Sequence, residues 1–345
     1  MVFHGLLRRV RSPMHPTRAG DRSVIRRVAA AVVIVAAVTG FVAVPRRYVV
    51  DGLSMGPGLM PGDVVSTGWF CRWPQLAKPR RFDCWTTTLP DGSVGLKRVI
   101  GLPGDTVSIA GGDLAINGNM ILKSPRELAQ SGSVVVAVES LDSRAWSLPA
   151  SLILDDAPFA PHEKSRILLP VHDVGFAAEV TVVPAAVAIG AVRVQAEAGP
   201  LKIRWRIKAA GRYGVVAGRL DGHAVAVVWP VSDAWAAGTR AVCLPPGAPA
   251  AWDVARPWPE HVSSDTNDDN LSPCLAVALT AAEGGATLDR VVTWRDILYR
   301  PAADAIDHWS LGERKIFVLG DFPSVSRDSR HFGLLPISSL RHRIR

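Results

Sequence analysis

Between Val28 and Val44 lie seventeen consecutive residues without a charge, and this run decides where the rest of the chain can be. As a helix rising about 1.5 Å per residue it covers roughly 26 Å, close to the thickness of a bilayer's hydrocarbon core. Ile25 can lengthen it while Arg26 and Arg27 snorkel to the headgroups. Residues 1–27 hold seven arginines, no lysine and one acid, Asp21, so +6 of the formal net charge of +8 sits in this tail. Arginine ahead of an apolar span keeps the N-terminus cytoplasmic. The expectation is a basic cytoplasmic tail (1–27) and a single transmembrane helix (28–45) in the inner (plasma) membrane, with everything after it extracytoplasmic. A cleavable signal peptide is the competing reading, since small residues follow the run. The long basic region and the lack of an exposed processing site after Ala43 favour a retained anchor.

With the tail set aside, the remaining residues carry only +2. Neither an interleaved basic and aromatic stripe nor a zinc-finger spacing occurs, so nucleic acid is not an expected partner. The four cysteines, Cys71, Cys84, Cys243 and Cys274, lack Cys-x-x-Cys spacing and a matching histidine set. No metal or cofactor is therefore expected. Outside the cytoplasm, Cys71 with Cys84 and Cys243 with Cys274 would each close a short local loop; reduced, buried cysteines are the alternative.

After the apolar run come short strand-like segments separated by turns: Tyr48–Asp51, Asp63–Trp69, Arg81–Thr88, Ser93–Ile100, Thr106–Ala110 and Asp113–Ile116. Asn117-Gly118 then supplies a hairpin turn. No helical periodicity of useful length intervenes, which predicts an antiparallel β domain. From Ser124 to about His308 alanine, valine and proline rise, and five further segments read as strands: Gly175–Val183, Ala191–Glu197, Leu201–Ala209, Tyr213–Ala217 and His223–Val228. Alternation is clearest in Lys202–Lys208, which sets Ile203, Trp205 and Ile207 on one face and basic residues on the other. The tryptophans here read as core or sheet-face packing, a carbohydrate- or peptide-binding surface being the alternative. The prediction is a mostly β protein: an antiparallel core (46–123 and 309–345) interrupted by a second β-rich, sandwich-like domain (124–308). Ser263–Asn270 is an acidic polar loop without the spacing of a calcium-binding EF-hand, and reads as a solvated turn. Arg341–Arg345 reads as a solvated basic tail.

Two stretches of the core carry reactive groups. Asp51–Asp63 is rich in glycine and proline, cannot be a helix, and lets one backbone pass close to another around the hydroxyl of Ser54. Lys97 is set among Leu96, Val99 and Ile100, an arrangement that can bury an ammonium, lower its pKa and make a general base. Each also has a plain explanation, a surface loop with an incidental serine and a strand lysine facing solvent. After the apolar strand Lys315–Leu319, the loop Gly320–Gly333 is dense in hydroxyls and charges. There Asp328 and Arg330 can pair and Ser326 can hydrogen-bond, as an ordinary structural turn also would.

Taken in order, these segments resemble the type I signal peptidases, the S26-family Ser/Lys proteases that remove leader peptides from exported proteins. Ser54-Met-Gly-Pro-Gly-Leu is similar to the family's nucleophile motif, Gly62-Asp-Val-Val to the box after it, and Lys97–Asp105 to the general-base motif. Phe317–Asp321 and Ser326–Gly333 are similar to the last. The resemblance implies Ser54 as nucleophile, with its backbone N–H as an oxyanion donor, and neutral Lys97 as general base oriented by Ser326. It implies a supporting ion-pair network of Asp328, Arg330 and Arg98. It also implies substrate held by strand addition along Val50, Gly52, Leu53, Val94, Gly95 and Leu96, from preproteins with Ala-x-Ala-like leaders at the lipid bilayer.

Three positions depart from the pattern: Gly58 stands for threonine, Phe322 for the asparagine after Gly-Asp, and Gly52 where some relatives carry a hydroxyl. A conjugation-type peptidase processing a pilin precursor is a second enzyme reading. A catalytically weakened paralogue, whose insertion binds a cell-envelope partner of unknown identity, is a third. Self-cleaving Ser/Lys repressors are excluded by the anchor and by the absence of a DNA-binding helical region.

Overall fold

The computed structural model describes residues 24–34, 46–67, 78–148, 173–198, 201–233, 235, 243–257, 275–280, 285–299 and 307–344. Residues 24–34 are helical (α1) and belong to a unit, Met1–Pro45, separate from the compact unit Arg46–Arg345. The rest of the apolar run lies outside the described residues, among which no helix is long and apolar enough to cross a membrane. The loop Ser263–Asn270, Cys71 and Cys274 also lie outside them.

The second unit is built almost wholly from antiparallel strands. β1 (Arg47–Val49) pairs with β2 (Val64–Ser66), and the Ser54 loop connects them. A five-stranded sheet holds β3 (Cys84–Thr88), β4 (Val94–Gly101), β19 (Lys315–Leu319), β20 (Leu335–Pro336) and β21 (Leu340–Arg343), in the order β20-β19-β4-β3-β21. Beside it lies a four-stranded sheet of β5 (Thr106–Ala110), β6 (Asp113–Ile116), β7 (Asn119–Met120) and β18 (His308–Ser310). Asn117 and Gly118, with φ of 53° and 77°, make the β6–β7 turn, because only the left-handed conformation matches the twist of a two-residue hairpin. Both sheets thus draw strands from the two ends of the unit.

Residues between those ends form two further sheets. One orders β8 (Ser133–Ser143), β10 (Val174–Val182), β13 (Gly211–Leu220), β14 (His223–Pro230), β15 (Val254–Pro257) and β17 (Ala286–Arg295) as β15-β14-β13-β10-β17-β8. The other orders β9 (Ala145–Ser147), β11 (Val192–Ala198), β12 (Leu201–Ile207) and β16 (Leu275–Thr280) as β12-β11-β16-β9. Alternate residues of both sheets, Val174, Phe176, Ala178 and Val180 from β10 with Val192, Val194 and Ala196 from β11, share one buried core. In β12, Ile203 and Ile207 turn into this core while Lys202, Arg204 and Arg206 are exposed, as the two-residue period predicts. The opposite face of the six-stranded sheet buries Trp229, Trp235 and Trp294 in a second cluster.

The C-terminal residues correct one expectation. Arg341–Arg343 belong to β21, whose Leu340 and neighbour Ile344 are buried. Ile344 donates its backbone N–H to Cys84 O (2.9 Å), and Arg343 pairs with Asp83 at 2.9 Å. Apolar residues at 340 and 344 commit the strand, so the basic side chains ride on a sheet edge and do not form a free tail. The cysteines correct another: Cys84 and Cys243 are free thiols. Burial pushes the Cys84 thiol up to about 11 and raises that of Cys243 as well, whose Sγ donates to Leu128 O at 3.3 Å. Cys243 behaves as a small core residue, and Cys84, partly buried, packs against the cluster of Val50, Val65 and Ile344.

Candidate active site

The loop from Val50 to Asp63 closes on itself. Val50 N donates to Asp63 O and Gly62 N to Val50 O, both at 2.8 Å, so the loop leaves and re-enters the β1–β2 hairpin through one narrow neck. Within it Gly56 N donates to Leu53 O and Leu59 N to Met55 O, and the Met55 side chain is buried. Ser54, half-buried, is held at this turn. Its hydroxyl makes no hydrogen bond among the described residues.

The loop after β19 meets it. Phe322 N donates to Ser54 O at 3.1 Å, and Ser326 N donates to Phe322 O at 2.9 Å. Gly320 lies between them so tightly that a Cβ there would stand 2.1 Å from Ser326 Oγ and 2.4 Å from Ser54 O. Two backbones and a serine side chain converge here because the residue at 320 has no side chain. From the sheet below, Lys97 in β4 donates from Nζ to Ser326 Oγ at 3.2 Å. Lys97 is only 3% exposed. Burial holds its ammonium below the ordinary lysine value, opposed by the Asp328 and Asp321 carboxylates and reinforced by Arg330. Ser54, Lys97 and Ser326 thus come from three distant segments into one small volume.

The charges around them form two separate pairs where a single network was expected. Asp328, fully buried, receives Arg330 Nε at 2.9 Å and Nη2 at 2.9 Å, and also accepts Gly320 N at 3.0 Å. It caps the short helix α3 (Ser329–Phe332). Arg98 pairs instead with Asp321, donating Nε to Oδ1 at 2.7 Å and Nη2 to Oδ2, with further bonds to Phe82 O (2.6 Å) and Gln130 O (3.2 Å). Burial opposes the charge of this guanidinium and the Asp321 carboxylate outweighs it. Asp321 lies in the Phe317–Asp321 stretch singled out in the sequence but had no role assigned to it there; the register of β19 against β4 brings it to Arg98.

Gln130 lies in the last turn of the helix α2 (Pro125–Ser131), which carries a full capping box between Ser124 and Glu127. Its carbonyl also lies 3.8 Å from a Cβ built at Gly58, so the helix end borders the Ser54 loop. The phenyl of Phe322 faces the same loop, 3.4 Å from a Cβ built at Gly56.

Of the residues expected along a substrate path, Val94, Gly95 and Leu96 lie where β4 has a neighbour on one side alone. β3 pairs with β4 from Val94 to Arg98, whereas β19 pairs only with Arg98, Val99 and Gly101. The backbone edge of Val94–Leu96 is therefore open among the described strands. Val50 is buried in a small cluster against which Leu96 packs, which sets the two stretches side by side. Gly52 faces open space and Leu53 is half-buried.

Residues 22–144 match the family described as signal peptidase, peptidase S26. Signal peptidase I V of Bacillus subtilis (strain 168) is 35% identical over 74 residues, which are 21% of this chain and 43% of that protein. The chain thus spans less than half the length of this curated relative. The S26 match contains Ser54 and Lys97 and ends before the segment of Ser326, so the third member of the cluster stands on geometry.

Proposed function

We propose that the chain is a membrane-bound serine endopeptidase that removes N-terminal leader peptides from exported proteins. The observation that carries the reading is Lys97, buried, with its amine on Ser326 and the Ser54 backbone one glycine away. In an interior that disfavours the ammonium, the neutral amine is the form that accepts a proton. Ser54 Oγ attacks the scissile carbonyl carbon while its proton passes to Lys97 Nζ. The tetrahedral intermediate, its oxyanion facing the Ser54 backbone N–H, collapses as the C–N bond breaks and Lys97 returns the proton to the leaving amine. Water then attacks the Ser54 ester, Lys97 taking its proton and passing it to Ser54 Oγ as the ester bond breaks, and the leader leaves with a new carboxylate. Ser326 orients the amine, while Asp328 with Arg330, and Arg98 with Asp321, hold the loop around it.

The open edge of Val94–Leu96 receives the extended leader as an added strand, with Val50, Gly52 and Leu53 bounding its other side. The substrates are preproteins with Ala-x-Ala-like leaders. The apolar run 28–45 anchors the enzyme with its N-terminus in the cytoplasm, and 124–308 is a domain inserted into the catalytic one.

Cleavage of a preprotein by the purified, detergent-solubilised chain tests the proposal. Wild type releases the leader at a defined site, and Ser54→Ala and Lys97→Ala do not. Equal inactivity of all three on several leaders would favour the rival reading of a weakened paralogue acting as a binding module, for which Phe322 is the specific feature.

A further inference from the structure

The outer face of the sheet β12-β11-β16-β9 carries charge that nothing else in the fold uses. In the register of β11 against β12, Arg193 stands opposite Arg206, Gln195 opposite Arg204 and Glu197 opposite Lys202, all on the face turned away from the shared core. Arg193, Lys202, Arg204 and Arg206 are exposed. Glu197 is the one carboxylate of this face among the described residues, and it is engaged. Lys202 Nζ lies 3.5 Å from Glu197 Oε1, and Gln195 Nε2 donates to the same oxygen at 3.3 Å. Arg193, Arg204 and Arg206 are left with no carboxylate partner among the described residues.

Two features separate this patch from an ordinary solvated surface. The first is the direct opposition of Arg193 and Arg206, since like charges facing each other across an antiparallel pair are destabilising. Arg204 adds a third guanidinium two residues from Arg206 on the same side, about 7 Å along the strand. A basic edge strand guards against edge-to-edge pairing, but that accounts for β12 and not for Arg193, which belongs to the second strand of the sheet. The second feature is the neighbouring surface. Farther across the sheet the same face holds Thr280, Ala278 and Ala276 of β16, then Ala145 and Ser147 of β9. These short side chains make a level shelf beside the arginines, without the walls that would enclose a compact ligand.

We propose that this face docks on the phosphodiester headgroups of an anionic bilayer. A guanidinium donates two parallel N–H bonds to a phosphate, and three of them on one plane match a planar array of phosphates. The complementarity is of sign and of shape, a flat cationic surface against a flat anionic one. The inference rests on the reading of 28–45 as an anchor, which tethers the chain at a bilayer, and not on the chemistry of Ser54. It gives the insertion a task of its own, holding the unit Arg46–Arg345 to the membrane surface at a second point.

The test footprints arginine side chains with phenylglyoxal in the full chain, reconstituted in nanodiscs of phosphatidylcholine alone or mixed with phosphatidylglycerol, and reads each residue by mass spectrometry. Exposed Arg126 and Arg314 serve as references. Labelling of Arg193, Arg204 and Arg206 is expected to slow about five-fold or more in the anionic discs relative to those references. It is expected to recover in ~1 M salt, where the Debye length is about 3 Å. Arg206→Gln, which leaves Ile203 and Ile207 in the core, is expected to lower the docked-to-undocked ratio read at Arg193 and Arg204 about five-fold, the factor for one basic residue at an anionic surface. Equal labelling in neutral and anionic discs overturns the proposal, and this wild-type comparison decides even where the variant fails to fold. Slow labelling in both, released by Asp265→Asn, Asp268→Asn and Asp269→Asn together, assigns the face to the chain's own acidic loop and also overturns it. A chain that co-elutes with discs of neither composition overturns the anchor reading, and this inference with it.

Discussion

Gly320→Ala isolates the convergence on which the site rests. Gly320 is not in the left-handed region, so alanine meets no backbone penalty there and the effect is steric. The new Cβ would stand 2.1 Å from Ser326 Oγ, 2.6 Å from Ser326 Cβ and 2.4 Å from Ser54 O, where real contacts begin at about 3.0 Å. Ser326 Oγ must retreat by about 0.9 Å, enough to break its 3.2 Å bond from Lys97 Nζ, and the Ser54 backbone must move as well. Overpacking of this kind costs about 1–3 kcal/mol of stability. Displacement near 1 Å at a catalytic group costs roughly 10²-fold in rate, or ~2.7 kcal/mol of barrier. Steady-state kinetics on a leader-peptide substrate should show kcat down about 10²-fold with KM changed little, because the open edge of β4 is not involved. Ser326→Ala should not rescue Gly320→Ala, since the clashes with Ser326 Cβ and Ser54 O remain. A folded Gly320→Ala variant with wild-type kcat would refute the reasoning.

Three other perturbations reach the surrounding pairs. Asp321→Asn leaves the Arg98 guanidinium buried without its carboxylate and should cost about 3–5 kcal/mol, read as a lowered denaturation midpoint. The acidic limb of kcat/KM should follow Lys97 below the ordinary lysine value. Asp328→Asn removes a charge that raises the Lys97 pKa, so its limb should move to lower pH; a shift to higher pH would contradict the assignment. Phe322→Asn should leave activity intact or raise it, because the contact to Ser54 O is made by the Phe322 backbone, and a large loss in the cleavage assay would assign the phenyl a role.

The β character and most strands were legible because apolar alternation and turn residues report directly on local structure, as Ile203, Ile207 and Asn117-Gly118 illustrate. Arg341–Arg345 misled because three arginines outweighed two apolar residues whose partners lie about 250 positions away. The helix at Pro125–Ser131 had its signal in Ser124-Pro-Arg-Glu127, but at seven residues it was too short for periodicity to reveal. Ser54 and Lys97 could be picked out by residue type and neighbours. The pairing of Arg98 with Asp321 could not, since any of several acids in the same loop satisfies a charge argument and only the register of β19 against β4 selects one.

The account turns on Ser54 carrying the acyl group, and the most direct measurement is the mass of the enzyme during turnover of a slowly deacylating leader-peptide ester. The account predicts a mass increase equal to the acyl fragment, located by proteolytic mapping on the peptide containing Ser54 and absent from Ser54→Ala. Turnover by Ser54→Ala at the wild-type rate, or an adduct on any other residue, would contradict it.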